Sequence, residues 1–235
     1  MKYKSNYQKW ILFFILIINF KTMNAQNNHA LSATQQGMVA ISALTATGDL
    51  ENLKTHLSTG LDAGLTINEI KEALVQLYAY CGFPRSLNTI NTFRTVLDER
   101  KAKGISDKEG KPIIVENNVA DKYEQGRKVL EELTQTPQAK PAPGFGEFAP
   151  RADAFLKEHL FADIFASDVL SFQQRELVTI AALSAMTGVE PQLQAHLGMG
   201  MNTGITAEQL TAVFDIIEKH ISKEQAEIAR KVFKK

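Results

Sequence analysis

The sequence predicts an all-α protein made of two tandem helical units, and three observations carry that prediction. From about residue 30 onward, apolar residues recur with the 3.6-residue period of helices, and no alternating strand pattern persists. Signals for helix starts and stops separate these segments. Two stretches of the chain also match each other at a separation of 139 to 140 residues.

The N-terminal 25 residues differ in composition from the rest. Three lysines lie within the first nine residues, and an apolar run, "WILFFILIINF", follows before the small residue Ala25. This pattern predicts a cleaved signal peptide over residues 1–25 and therefore an exported protein, periplasmic or secreted. An uncleaved N-terminal anchor is the alternative. After cleavage we expect no stable membrane span.

Charge excludes one class of partner. Without residues 1–25 the chain keeps 22 basic and 26 acidic residues, a net charge of −4. It has no basic stripe to displace the counterions of a phosphate backbone. We therefore expect no nucleic-acid binding.

The first unit shows how the helix boundaries are predicted. In "TINEIKEALVQLYAYCG", Thr66 is an N-cap and Glu69 completes a capping box. Gly82 is predicted to end that helix. Pro84 suits the first turn of the next helix, which is predicted to end at Gly104.

The internal match defines the two units. The stretch from Met38, "MVAISALTATGDLENLKTHLSTGLDAGLTINEI", corresponds to the stretch from Leu177, "LVTIAALSAMTGVEPQLQAHLGMGMNTGITAEQL". We predict the first unit over residues 30–104 and the second over 151–235, with a linker over 105–150 that carries one helix. Corresponding residues include Gly48 and Gly188, His56 and His196, Gly60 and Gly200, Gly64 and Gly204, and Thr66 and Thr206.

The two copies keep different polar residues. The first ends in "YAYCGFPRSLNTINTF", whereas its counterpart "EKHISKEQAEIARKVF" lacks Cys, Gly and Pro. The second begins with "QQREL" where the first has "TQQGM". Each copy therefore lacks the polar residues that the other keeps, in a different half of the unit.

Two repeated histidines and their neighbours are candidates for chemistry. His56 and His196 stand either as satisfied polar residues at helix crossings or as general acid–base groups. Glu176 stands either as a carboxylate favoured by the helix dipole or as a proton-transfer group. Arg175 is either an anion-binding residue or a solvated surface charge. Without H-x-x-H, H-E-x-x-H or a second cysteine, no metal site is predicted.

Cys81 is the only cysteine in the chain. It lies on the apolar face of its helix and at the C-terminal end, where the helix dipole disfavours a thiolate. This position favours the interpretation of Cys81 as a small buried apolar residue over that of a reactive thiol.

Several of these segments together resemble the carboxymuconolactone decarboxylase family. They are "ELVTIAALSAMTGVEPQLQAHLGMGMNTGITAEQL", "EALVQLYAYCGFPRSLNTI" and "DKYEQGRKVLEEL", and the resemblance covers nearly all of residues 34–235. It implies two tandem alkyl-hydroperoxidase-D-like helical units packed as a pseudo-symmetric pair. It also implies a homo-oligomer, a trimer of two-unit chains or a dimer.

The family's peroxidase branch carries C-x-x-C-x-x-x-H, and this motif is absent here. Counting back from His196, the two cysteine positions hold Val189 and Gln192; counting back from His56, they hold Asp49 and Asn52. A thiol peroxidase needs an attacking and a resolving thiol. Cys81 instead matches the Y-C-G-x-P of the decarboxylase branch.

The leading hypothesis is therefore cofactor-free decarboxylation or proton transfer on a small carboxylate or lactone. Its predicted site combines polar residues from both copies. The acid–base residues are His196 and Glu176, with His56 in the first copy; the substrate-binding residues are Arg175, Arg85, Tyr78, Tyr80, Asn88 and Cys81. Two alternatives stay open: a peroxidase that uses Cys81 with an outside thiol, and a non-catalytic helical binding or assembly protein.

Overall fold

Helices form all the regular structure in the part of the chain that the computed structural model describes, residues 30–113 and 117–235. No strand occurs within these two ranges. The all-α prediction is confirmed. The predicted signal peptide lies outside the described residues.

The first unit consists of helices α1 (Ala33–Thr47), α2 (Leu50–Asp62) and α3 (Ile67–Ala102). The predicted capping box of Thr66 and Glu69 is present at the start of α3. Gly82 interrupts α3 with φ 83° and ψ 156°, a backbone conformation that suits glycine because it has no Cβ. The chain thus changes direction where the sequence predicted one helix to end and the next to begin.

Between the units lie α4 (Lys122–Thr134), two short helices α5 (Phe145–Phe148) and α6 (Pro150–Ala154), and a π-helix (Phe155–Ile164). The π-helix packs closely on α4 at Gly126, where a Cβ would lie only 1.8 Å from the carbonyl oxygen of Lys157. Lys157 is itself fully buried, and its Nζ lies 2.9 Å from Oδ1 of Asp153 and 2.9 Å from Oη of Tyr123. This paired charge fixes the π-helix on α4.

The second unit consists of α7 (Phe172–Ser184), α8 (Glu190–Asn202), α9 (Ala207–His220) and α10 (Lys223–Phe233). Ser171 caps α7 with a capping box, and Thr206 caps α9 in the same way. The break between α9 and α10 lies where α3 has its kink in the first unit. The second unit therefore repeats the helix order of the first.

The two units share one hydrophobic core, in which α1 packs along α7. Ile41, Leu44, Val178 and Ile180 are fully buried there. Burial of each such side chain stabilises the fold by roughly 1.5–3 kcal/mol. In addition, α3 contacts α7 and α9 contacts α1, so in each unit the helix that follows the histidine-bearing helix lies across the first helix of the other. This reciprocal packing is the predicted pseudo-symmetric pair.

Among the helices of the described residues, none combines the length and apolar character that crossing a bilayer requires.

Candidate active site between the two units

A buried histidine–carboxylate pair lies in the second unit. Nδ1 of His196, on α8, is 2.7 Å from Oε2 of Glu176, on α7, and the two residues are 6% and 0% exposed. A carboxylate at Nδ1 fixes the orientation of the imidazole and directs its proton exchange to Nε2. The other carboxylate oxygen, Oε1, is buried and finds no hydrogen-bond partner among the described residues.

Gly200 lets the two helices of this pair approach each other. A Cβ at this position would lie 2.7 Å from Cδ1 of Ile180 and 3.8 Å from Cβ of Glu176. Any larger residue would therefore push α8 away from α7. Because His196 lies one turn before Gly200 on α8, the same close approach brings its ring to Glu176.

Tyr80 reaches this pair from the first unit. Its ring meets the ring of His196 edge to face, with centroids 5.4 Å apart and planes at 77°. Its hydroxyl oxygen is buried next to the side chain of Thr179 and makes no well-aligned hydrogen bond with any described residue. Burial raises the pKa of Tyr80 far above its ordinary value, and the nearby charge of Glu176 raises it further. Tyr80 is therefore a neutral hydroxyl that can donate a hydrogen bond into the site.

A buried polar network holds α3 against α7 beside these three residues. Arg175 Nη2 donates to Oε2 of Glu72 at 2.9 Å, and Arg175 Nη1 donates to Oε1 of Gln76 at 3.0 Å. Gln76 in turn donates to Oγ1 of Thr179 at 2.9 Å. Arg175 is fully buried, so the surface-charge alternative is wrong. Both of its Nη atoms are occupied by protein groups, whereas its buried Nε has no hydrogen-bond partner among the described residues. The two occupied Nη atoms make Arg175 a positioning residue between α3 and α7.

The first unit has a corresponding site that lacks the carboxylate. His56 meets His220 of the second unit edge to face, with centroids 4.5 Å apart and planes at 82°. The repeat aligns His220 with Tyr80 and Gly37 with Glu176. Burial lowers the pKa of both His56 and His220. The structure therefore contains two related inter-unit contacts, of which one has an acid–base pair.

A family model described as the carboxymuconolactone decarboxylase family matches residues 13–94 and 150–234, more than half of the chain. This chain belongs to the carboxymuconolactone decarboxylase family. The double match confirms the prediction of tandem family units. No curated protein matches the sequence significantly.

Cys81 follows Tyr80 in the sequence but does not have the properties of a peroxidase thiol. The side chain is partly buried and its Sγ donates to the carbonyl oxygen of Leu77 at 3.2 Å. Burial raises the pKa of the Cys81 thiol, against the opposing effect of Arg85. A reactive cysteine needs a pKa below its ordinary value, which is the opposite of what burial does to Cys81.

The other predicted substrate-binding residues of this helix lie away from His196. Tyr78 stacks on Phe83 with ring centroids 4.2 Å apart and faces a separate cavity beside the π-helix. Arg85 and Asn88 are exposed beyond the kink, with Arg85 beside Gly48. Of the predicted substrate-binding residues of this helix (Tyr78, Tyr80, Cys81, Arg85 and Asn88), the structure therefore shows a ring contact with His196 for Tyr80 alone.

Sequence reasoning missed Glu72, Gln76 and Thr179, and also His220. A signal for the first two was present, since Glu72, Gln76 and Tyr80 are spaced four residues apart along one face of α3. The signal for His220 was its alignment with Tyr80 in the repeat. In residues 30–113 and 117–235, no three His, Cys, Asp or Glu side chains are grouped as metal ligands.

Proposed function

We propose that this protein is a cofactor-free acid–base enzyme that decarboxylates a small lactone acid or a related enolisable carboxylic acid. One observation carries the proposal: the buried 2.7 Å pair of His196 and Glu176 lies against the ring of Tyr80 from the other unit. The membership of the family supports the same class of chemistry.

The reaction needs a proton at carbon and a place for negative charge. The bond between the carboxylate carbon and its neighbour breaks, carbon dioxide leaves, and the electron pair moves into the conjugated carbonyl as an enolate. The imidazolium of His196 then donates a proton to carbon from Nε2 and regains one from solvent. General acid–base catalysis of this kind contributes about 10²–10⁴-fold in rate.

Two neighbours of His196 have distinct roles in this scheme. Glu176 orients the imidazole through Nδ1 and balances the charge of the imidazolium. Tyr80 donates a hydrogen bond to the enolate oxygen as its charge develops, because its own proton is firmly held. The site is therefore composite, with its acid from the second unit and its oxyanion donor from the first.

The substrate carboxylate requires a cation whose fork is free. Arg175 is bonded to Glu72, Gln76 and the carbonyl oxygen of Ser167. Arg85 is exposed and forms no salt bridge with any described residue. Arg85 lies beyond the kink, beside Gly48 and away from His196, so neither arginine is assigned to the substrate carboxylate. Export of the protein and its assembly into a homo-oligomer remain predictions.

The test is release of carbon dioxide from a carboxylated muconolactone by the wild type and three variants. We expect His196→Gln to lose about 10²–10⁴-fold in rate, whereas its counterpart His56→Gln and Cys81→Ser retain it. No release by the wild type would overturn the proposal. Peroxide reduction that disappears in Cys81→Ser would favour a thiol peroxidase instead.

A further inference from the structure

We propose that the cavity between the π-helix and α3 is a second binding site, which takes a small neutral hydroxylated aromatic molecule such as a phenol. This inference does not depend on the decarboxylase proposal. It rests on the shape of the cavity, the side chains of its walls and a histidine–aspartate pair that the proposed reaction does not use.

The cavity has the size and wall chemistry of a small-molecule site. Its volume is about 650 Å³, within the range of ligand pockets. Tyr78 forms one wall and is held by its stack on Phe83. Phe155, Leu156 and Leu160 of the π-helix also line it. Aromatic and aliphatic linings of this kind suit an aromatic ligand.

A histidine with a fixed orientation supplies the polar contact. Nδ1 of His159 lies 3.2 Å from Oδ2 of Asp163, and both side chains line the cavity. When the imidazole is neutral and Nδ1 donates to the aspartate, Nε2 of His159 is the acceptor for a hydroxyl donor. The ring of His159 is tilted against Tyr78 at a centroid distance of 5.5 Å, next to the aromatic wall.

Asp163 is held in place from a second side. Lys122 Nζ lies 2.8 Å from its Oδ1. Burial alone would raise the pKa of Asp163, but the hydrogen bonds from Lys122 and His159 outweigh it and lower that pKa. Asp163 therefore stays a carboxylate that keeps the His159 imidazole in one tautomer.

The charges of the cavity disfavour an anion. Besides His159, the wall carries one positive group, Lys122, and two negative groups, Asp163 and Glu158. Lys122 is already paired with Asp163, so no cation is left for a ligand carboxylate. A neutral ring with one hydroxyl donor satisfies these walls, whereas a benzoate does not.

The backbone that builds this cavity is unusual. The wall from Phe155 to Ile164 is a ten-residue π-helix, and π-helical turns are rare and often lie at functional sites. Phe155, His159 and Asp163 are spaced four residues apart along it. The π-helix thus lines the same cavity with the aromatic ring of Phe155, the imidazole of His159 and the carboxylate of Asp163 that orients this imidazole.

This site is separate from the pair of His196 and Glu176. Leu160, Phe161 and Met199 lie with Tyr78 and Tyr80 in a second hydrophobic cluster beside the main core. Tyr78 faces the cavity, whereas Tyr80 contacts His196. A ligand in the cavity therefore contacts the side of α3 that carries Tyr78, and not the side that carries Tyr80.

The test is calorimetric titration of the full chain with phenol, toluene and benzoate. We expect phenol to bind about tenfold more tightly than toluene, the effect of one hydrogen bond, and benzoate to bind most weakly. Equal affinity for phenol and toluene, tighter binding of benzoate, or no binding of phenol would overturn the proposal.

Two variants locate the site. His159→Leu should lower phenol affinity to that of toluene while toluene affinity is retained, which shows that the cavity is intact. Glu158→Gln, the matched change one residue away, should leave phenol affinity unchanged. Retention of the phenol preference in His159→Leu would contradict the assignment. His196→Gln should bind phenol normally, so failure here and failure of the decarboxylase proposal are distinguishable.

Discussion

Tyr80 and His196 belong to different repeat units, yet their rings meet edge to face with centroids 5.4 Å apart. The corresponding residues of the other half, His220 and His56, make the same kind of contact at 4.5 Å. Both contacts follow from the reciprocal packing of α3 on α7 and of α9 on α1. One unit alone therefore cannot form the candidate active site.

Replacement of Tyr80 by Phe separates a catalytic from a structural role. The hydroxyl makes at most one poorly aligned contact, with Thr179, so we expect the free energy of unfolding to change by no more than about 1 kcal/mol. Activity should fall about 100-fold, since an oxyanion donor is lost. Urea denaturation and the rate of carbon dioxide release check the two expectations. A destabilised protein with full activity would contradict the assigned role.

The pair of Arg175 and Glu72 should behave as a coupled unit. Arg175→Met leaves a buried carboxylate without its partner and should cost about 3–5 kcal/mol of stability. The double variant with Glu72→Met should recover most of that loss, because both charges are then absent. A double-mutant cycle in urea measures the coupling. Simple additivity of the two single changes would show that the network does not hold α3 on α7.

The Cys81 thiol should titrate at higher pH in the folded protein than in the unfolded chain. Burial raises its pKa, so the thiolate fraction near neutral pH is reduced. The pH dependence of its reaction with an aromatic disulfide gives the midpoint in both states. A folded-state midpoint below that of the urea-unfolded protein would instead indicate an activated thiol and revive the peroxidase alternative.

The contact of His56 with His220 should make the protein sensitive to mild acid. Burial lowers both pKa values in the folded state, so the unfolded state binds more protons as the pH falls through the ordinary histidine range. Stability is present above that range and decreases below it. His220→Phe should flatten the decrease between pH 7 and 5, as measured by urea denaturation at each pH. An unchanged slope would contradict this account.

The elements that the sequence predicted well are those with local signals. The capping box of Thr66 and Glu69 and the break at Gly82 are set by nearest neighbours along the chain. The repeat likewise predicted the pseudo-symmetric pair. Whether Arg175 is solvated or buried was left open, because the answer depends on Glu72 and Gln76, about 100 residues earlier in the chain.

The composite site was predicted only in outline. Polar residues retained in different copies indicated that both units contribute, and Tyr80 indeed contacts His196. Tyr78 and Tyr80 are two residues apart, so they lie on roughly opposite faces of the helix. Sequence alone could not determine which of the two faces His196 and which faces the other cavity, because that depends on the packing partners of α3. The π-helix had no sequence signal that we detected, since its apolar pattern resembles that of an α-helix.

In the reaction that we propose, His196, oriented by Glu176, delivers the proton that replaces the departing carboxylate. The most direct measurement is decarboxylation in deuterium oxide by the wild type and by Glu176→Gln, with the rate and the deuterium at the product carbon followed by NMR. The account predicts one deuterium at a single stereochemical position for the wild type and a rate about 10²–10⁴-fold lower for Glu176→Gln. Equal rates for the two proteins would contradict it.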